Sequence, residues 1–195
     1  RVVRNITKEE LGDLPVAHFD GRIIVVQTAN EVDAALAYLY KQTAVGFDTE
    51  TRPAFRKGQK NKVSLIQLAS EDTCFLFRLN YIDLPESLIT FLSDEKVEKI
   101  GLSLKDDFGA MRKRETFSPK GFIDLQQMVQ EYGIKDQSLQ KIYGILFGEK
   151  ISKSQRLSNW DVDILTDAQK RYAALDAFAC LKIYNKLKEL TKNEL

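Results

Sequence analysis

The sequence is short of the residues that build stapled, membrane-spanning or histidine-centred proteins. It has two cysteines, one histidine and no apolar run of membrane-spanning length. Cys74 and Cys180 lie far apart among apolar neighbours, which reads as two buried thiols in a reducing compartment, not a disulfide framework. The expected location is therefore intracellular, cytoplasmic if the source is bacterial. The first residues lack the apolar core of a secretory signal. A start at Arg1 instead of Met reads as a trimmed end, so a missing targeting segment or further domains stay open. Neither charge dominates: 29 Lys and Arg against 28 Asp and Glu give a net +1, so any surface for a polyanion must be local. No repeat, low-complexity tract or Pro-, Gly- or Ser-rich linker divides the 195 residues, a length that suits one sizeable core. Residues 1–21 read as an N-terminal extension and 22–195 as a single domain.

Hydrophobic patterning predicts strands at 22–27, 44–50, 63–70, 73–79, 97–103 and 121–124. Helices are predicted at 30–41 with Asn30 as N-cap, at 85–93, about 107–114, 125–132, 138–147 and about 167–191. The last opens on a Thr166/Gln169 capping box. The short Ser70–Asp72 connection makes a hairpin of its flanking strands. Three meandering strands followed by alternating helix and strand imply a mixed sheet with helices packed on it, an α/β sandwich.

The acids are placed oddly within that pattern. Asp48 and Glu50 interrupt an apolar strand and, two residues apart, share one face, while Val45 and Phe47 take the other. Asp176 lies on a helix face of Ala, Leu and Phe, stacked one turn after Tyr172. A third segment, SLKDD, contributes Asp106 and Asp107. Each acid alone has an ordinary alternative: a solvated strand end, an Asp within helix–sheet packing, a helix that begins with acid. Together they are carboxylates in desolvating positions, which calls for a compensating cation.

From Thr51 to Lys62 the chain carries Arg52, Arg56, Lys57, Lys60 and Lys62 with no acid. This run leaves the strand directly after Glu50, so it reads as a phosphate-tracking loop at the rim, the alternative being a solvated loop. Phe55 within it either stacks on a base or anchors the loop. Arg112, Lys113, Arg114, Lys150, Lys153 and Arg156 are further cations with solvated alternatives. Trp160 is core or a platform, and His18 an ordinary loop residue.

In order, spacing and flanking residues these segments resemble the 3′–5′ exonuclease domains of the DEDD superfamily, found in polymerase proofreading modules, ribonuclease D and the Werner-syndrome helicase. VGFDTET (45–51) matches the D-x-E motif and YAALDA (172–177) the Y-x-x-x-D form of the tyrosine subgroup. The lone His18 lies far from that motif. RPAFRKGQKNKVSLIQLAS (52–70) and KSQRLSNWDVDILTDAQKRYAALDA (153–177) look like the Werner and ribonuclease D branches. The resemblance covers roughly 22–190. For the second motif, the N-x-x-x-D spacing selects Asp107 with Asp106 as fallback. Ser103 stands where relatives often carry Asn or His.

The resemblance implies an RNase H-like (DnaQ-like) α/β sandwich with a mixed sheet of about five strands. It also implies two divalent ions, Mg²⁺ or Mn²⁺, held by Asp48, Glu50, Asp107 and Asp176, with Tyr172 orienting the attacking water. The substrate would be a nucleic-acid 3′ end, single-stranded or recessed duplex, with nucleoside 5′-monophosphates released. The Werner-like loop tilts the expectation toward DNA; the ribonuclease D likeness keeps RNA open. Two alternatives stand: a catalytically inactive copy that binds nucleic acid or a protein partner, and a structural module whose acids are incidental.

Overall fold

The structure, a computed structural model, describes residues 5–190. Residues 1–4 of the expected extension and 191–195, which include the expected end of the last helix, lie outside the described residues. Six strands form one sheet: β1 (Arg22–Val26), β2 (Ala44–Thr51), β3 (Val63–Ala69), β4 (Thr73–Arg78), β5 (Glu98–Gly101) and β6 (Phe122–Asp124). Their order is β1-β4-β3-β2-β5-β6. β2, β3 and β4 form an antiparallel meander, whereas β1, β5 and β6 run parallel to their neighbours. The sheet is mixed, as expected. It has one strand more than the resemblance implies and as many as the six apolar runs of the sequence.

Helices cover both faces. The helices are α1 (Lys8–Gly12), α2 (Ala29–Leu39), α3 (Leu79–Ile82), α4 (Glu86–Leu92), α5 (Leu104–Met111), α6 (Leu125–Glu131), α7 (Leu139–Phe147) and α8 (Asp167–Glu189). On one face α6, α7 and α8 pack over Leu65, Ala69, Cys74, Leu76 and Ile100. On the other, α2, α4 and α5 pack over Val45, Phe47, Ile66, Leu68, Phe75 and Phe77. Alternate strand residues thus feed two separate cores, the arrangement that period-2 patterning demands. Cys74 and Cys180 are both buried free thiols.

Three local expectations need correction. The cap of α2 is Thr28, not Asn30: Thr28 is extended and its hydroxyl accepts from the Glu31 N–H, which leaves Asn30 inside the helix. α5 begins at Leu104, three residues before the expected start, because a carboxylate from β6 accepts its first N–H groups. The short helices α1 and α3 carry too little periodicity to be seen in the sequence. α1 lies against α7, where Gly144 makes room for Leu11 and Leu14, and Ala17 and Phe19 join the core under α8.

One close approach sets the geometry of the functional end of the sheet. α8 lies over β2 at Gly46, where a Cβ would stand 1.8 Å from the Ala177 carbonyl oxygen. Ala173, Ala174 and Ala177 are all fully buried, so small residues line both sides of the contact. Gly46→Ala must therefore push α8 off the sheet. The expected cost is about 2 kcal/mol or more in denaturant unfolding, the scale of overpacking against unyielding backbone; an unchanged unfolding midpoint would show that the contact is looser than drawn.

Candidate active site

Gly46, Asp48 and Glu50 share the β2 face turned to α8, so the helix that docks at Gly46 delivers Asp176 to the two strand carboxylates. Asp48, Glu50 and Asp176 each offer an oxygen within 4.8 Å of the others. Glu50 and Asp176 are buried and Asp48 is half-buried. Burial pushes the Asp48 carboxyl up, and the Asp176 charge pushes it further. Glu50 is raised by burial and then by Asp48 and Asp176, against a hydrogen bond from Gln67. Burial also raises Asp176, against the pull of the Lys153 ammonium and the Tyr172 hydroxyl. Asp176 Oδ1 is buried without a hydrogen-bond donor among the described residues. Carboxyl oxygens crowded in this way become, once deprotonated, the hard acceptor set that suits a divalent cation, the ligand chemistry of Mg²⁺ and Mn²⁺.

The fourth acid comes from the opposite layer. Asp107 stands outside the three-carboxylate cluster, on the first turn of α5, and accepts a short hydrogen bond from Thr49 Oγ1. Burial raises its carboxyl and Asp48 raises it further. Asp106, its neighbour, is exposed. Of the two, Asp107 is the one the fold turns toward the site.

Tyr172 is half-buried, its ring centroid 5.9 Å from that of Trp160. Burial, then Asp176, Glu50 and Asp48, drive its hydroxyl far above the usual phenol range, with Arg156 opposing. Trp160 itself is fully buried, so it is core and also the floor under Tyr172.

A cavity of about 630 Å³ opens over the acids, lined by Asp48, Glu50, Tyr172, Asp176, Lys153 and Arg156 among others. The cations on its wall thus come from the segment before α8. The 52–62 loop is exposed along Arg52, Phe55, Arg56, Lys57, Lys60 and Lys62 and contributes none of these to the cavity wall. It leaves the site through a bulge at Glu50/Thr51. Asn61 closes it by donating to the Arg52 and Pro53 carbonyls. Phe55 is 83% exposed, so it does not anchor the loop. Two other cations are structural: Arg114 donates to the Val63 carbonyl and pairs with Asp83, and Lys150 donates to the Gly12 carbonyl. Cys180 also lines the cavity, but burial pushes its thiol well up, so it offers no thiolate.

Sequence reasoning missed several supports. Gln67 bridges Glu50 and the Ala173 carbonyl at 3.5 and 3.2 Å; a polar residue in the wholly buried β3 was the available signal. Arg78 is fully buried and donates to the backbone carbonyls of Trp160, Val162 and Asp163. Gln169 caps α8 and also holds Ser158 and the Asn159 carbonyl. Together they pin the cationic segment to the sheet.

Comparisons with known proteins bear on the family and the fold. A 3′–5′ exonuclease family profile matches residues 23–192. The chain is 31% identical over 197 residues to the mouse bifunctional 3′–5′ exonuclease/ATP-dependent helicase WRN, covering 95% of the chain and 14% of that protein. It is 30% identical over 194 residues to an Arabidopsis thaliana 3′–5′ exonuclease, covering 91% of the chain and 67% of the relative. Among solved structures, the Aedes aegypti Nibbler EXO domain superposes with a TM-score of 0.77 at 24% identity, covering 100% of this chain and 96% of that one. Trypanosoma brucei RNase D in complex with RNA U12 gives 0.76 at 20% identity, covering 87% and 63%. The fold is thus the RNase H-like sandwich that the sequence resemblance implies. A profile spanning most of the chain and relatives on this scale assign the family: the chain belongs to the 3′–5′ exonuclease domains of the DEDD type.

Proposed function

We propose that this chain removes nucleotides one at a time from nucleic-acid 3′ ends, hydrolysing phosphodiester bonds and releasing nucleoside 5′-monophosphates. The observation that carries it is the cluster of Asp48, Glu50 and Asp176 with an unpartnered buried oxygen, in a chain of 3′–5′ exonuclease type. Asp48, Glu50 and Asp176 would hold one divalent ion, and Asp48 with Asp107 a second. Bound Mg²⁺ or Mn²⁺ supplies an activated water and stabilises negative charge on the transferring phosphate and leaving oxygen.

The chain's own groups do the rest. Tyr172, its hydroxyl raised above the usual phenol range by burial and the neighbouring acids, would aim the water by hydrogen bonding; it need not be the base, because the metal lowers the water's pKa. Lys153 and Arg156 face the same cavity and offset the repulsion between the acids and an incoming phosphate. The exposed cations of the 52–62 loop and the exposed Phe55 ring extend that surface along the strand. The Werner-like loop favours DNA as the better substrate. The RNA-bound RNase D relative makes RNA the competitor.

A 3′-labelled oligonucleotide should lose its terminal nucleotide with Mg²⁺ or Mn²⁺ and survive in EDTA. Asp48→Ala should lower the rate by roughly 10³-fold, the scale of several kcal/mol of lost charge stabilisation. Matched DNA and RNA strands in the same assay rank the two substrates. Intact substrate with wild-type protein and saturating metal sinks the proposal in favour of an inactive, binding-only domain. Replacing Asp107 by Asn should cost on the order of 10²-fold in kcat, whereas Asp106→Asn should stay within about twofold; the opposite ranking would make Asp106 the ligand.

The raised carboxyls also set the pH dependence of stability. Each holds its proton in the folded state above its ordinary value of 3.8 or 4.5, so between there and neutrality the folded form binds more protons than the unfolded. Metal-free protein therefore loses stability as pH rises from about 5 to about 8. In EDTA near pH 8, Asp48→Asn should raise stability by at least about 1 kcal/mol, and Mn²⁺ should raise the Tm of the wild type. A metal-free Tm that climbs across that range would contradict the acidic cluster as drawn.

A further inference from the structure

Asp124 ends β6 and is outside the three-carboxylate cluster, yet its hydrogen bonds converge on the helix that carries Asp107. Its Oδ2 accepts from the Leu104 N–H at 3.0 Å, and its Oδ1 from the Ser103 N–H at 3.3 Å and the Gln126 N–H at 2.9 Å. One carboxylate thereby caps the starts of both α5 and α6. The Gln126 bond is an ordinary cap of its own helix. The other two are not, because they come from a segment about twenty residues earlier, brought alongside by the Gly101–Asp124 register of β5 and β6.

α5 needs that help. Its N-cap residue, Ser103, makes no side-chain cap bond and sits at φ 56, ψ 44, a left-handed conformation that disfavours a side chain. Among the described residues only Asp83 is the other non-glycine at positive φ. An eight-residue helix is marginal alone, so its first turn is defined by whatever holds its N-terminal N–H groups. That turn carries Asp107, whose carboxylate among the described residues accepts its side-chain hydrogen bond from Thr49. Ser103 and Gln126, two of the three residues bonded to Asp124, line the cavity over the acids.

We propose that Asp124 is a positioning residue: by clamping the strained start of α5 it sets where the Asp107 carboxylate stands relative to Asp48. The inference rests on the exonuclease reading of the acidic site for its consequence, but the clamp is testable without catalysis. Outer partners of ligating side chains typically govern metal affinity by about ten- to hundredfold.

The experiment is a calorimetric titration with Mn²⁺ alone of the wild type, Asp124→Asn, Asp107→Asn and Asp106→Asn, paired with amide hydrogen exchange. Asp124→Asn should weaken Mn²⁺ binding by about tenfold and so reproduce the Asp107→Asn deficit, while Asp106→Asn titrates like wild type. The deficit should persist at about 0.5 M KCl, where loss of a remote charge alone is screened. Exchange should quicken in the first turn of α5 and stay unchanged in β3. Wild-type titration by Asp124→Asn, a deficit abolished by salt, or faster exchange throughout the core each overturns the clamp. If Asp124→Asn does not fold, exchange in the wild type decides: Ser103 and Leu104 amides as fast as free ones refute it, and protection that rises with Mn²⁺ supports it. A wild type that binds Mn²⁺ but leaves 3′ ends intact refutes the exonuclease reading and leaves the clamp standing.

Discussion

Everything at the functional end of this protein follows from one constraint: carboxylates that repel each other are forced together in a place with little water. The force that holds them is packing. α8 closes on β2 only because Gly46 has no side chain and the facing helix residues are alanines, and the apolar area buried along that contact opposes the electrostatic penalty. A bound divalent cation would relieve the penalty, which is the part the proposed mechanism gives it. Lys153 and Arg156 are on the cavity wall, yet among the described residues no hydrogen-bond donor reaches Asp176 Oδ1.

The supports around the acids are of two kinds. Gln67, Thr49 and Tyr172 touch the carboxylates directly and limit their rotation. Arg78, Gln169 and Trp160 act at a distance by fixing the 153–165 segment, which brings the cations in. Arg78 illustrates the cost. A guanidinium buried among carbonyls, with Nε unpartnered, is an expensive way to hold a loop. Its planar fork gathers three backbone carbonyls within four residues, those of Trp160, Val162 and Asp163, which a hydrophobic residue could not.

The fold was legible in the sequence where periodicity was strong, as in the β2–β3–β4 meander and in α8 with its Thr166/Gln169 box. The acids of the candidate site were legible because D-x-E and Y-x-x-x-D each lie within one element, where strand and helix geometry decide which residues share a face. What could not be read depends on partners distant in sequence. The start of α5 is capped from β6, so local rules placed it three residues late. Lys153 and Arg156 looked like any solvated charges until the loop was folded over α8. The 52–62 loop, more conspicuous as a run of charge, contributes none of its exposed cations to the cavity wall.

The split origin of the four acids explains why so much of the scaffold is needed. Three carboxylates belong to the layer between the sheet and α8, and the fourth reaches over from the α5 layer on the other side. Their mutual distance is therefore set by the thickness and twist of the sheet's β2–β5–β6 edge, not by any single element. β5 and β6 are only four and three residues long, so they hold that edge with few backbone hydrogen bonds. Phe47, Phe108 and Phe122 stack edge-on beneath it, with centroids 5.1 and 4.8 Å apart, and supply the rigidity that short strands lack. An aromatic cluster on the opposite face of the sheet, outside the cavity wall, thus helps keep α5 and β2 in step, and with them Asp107 and Asp48.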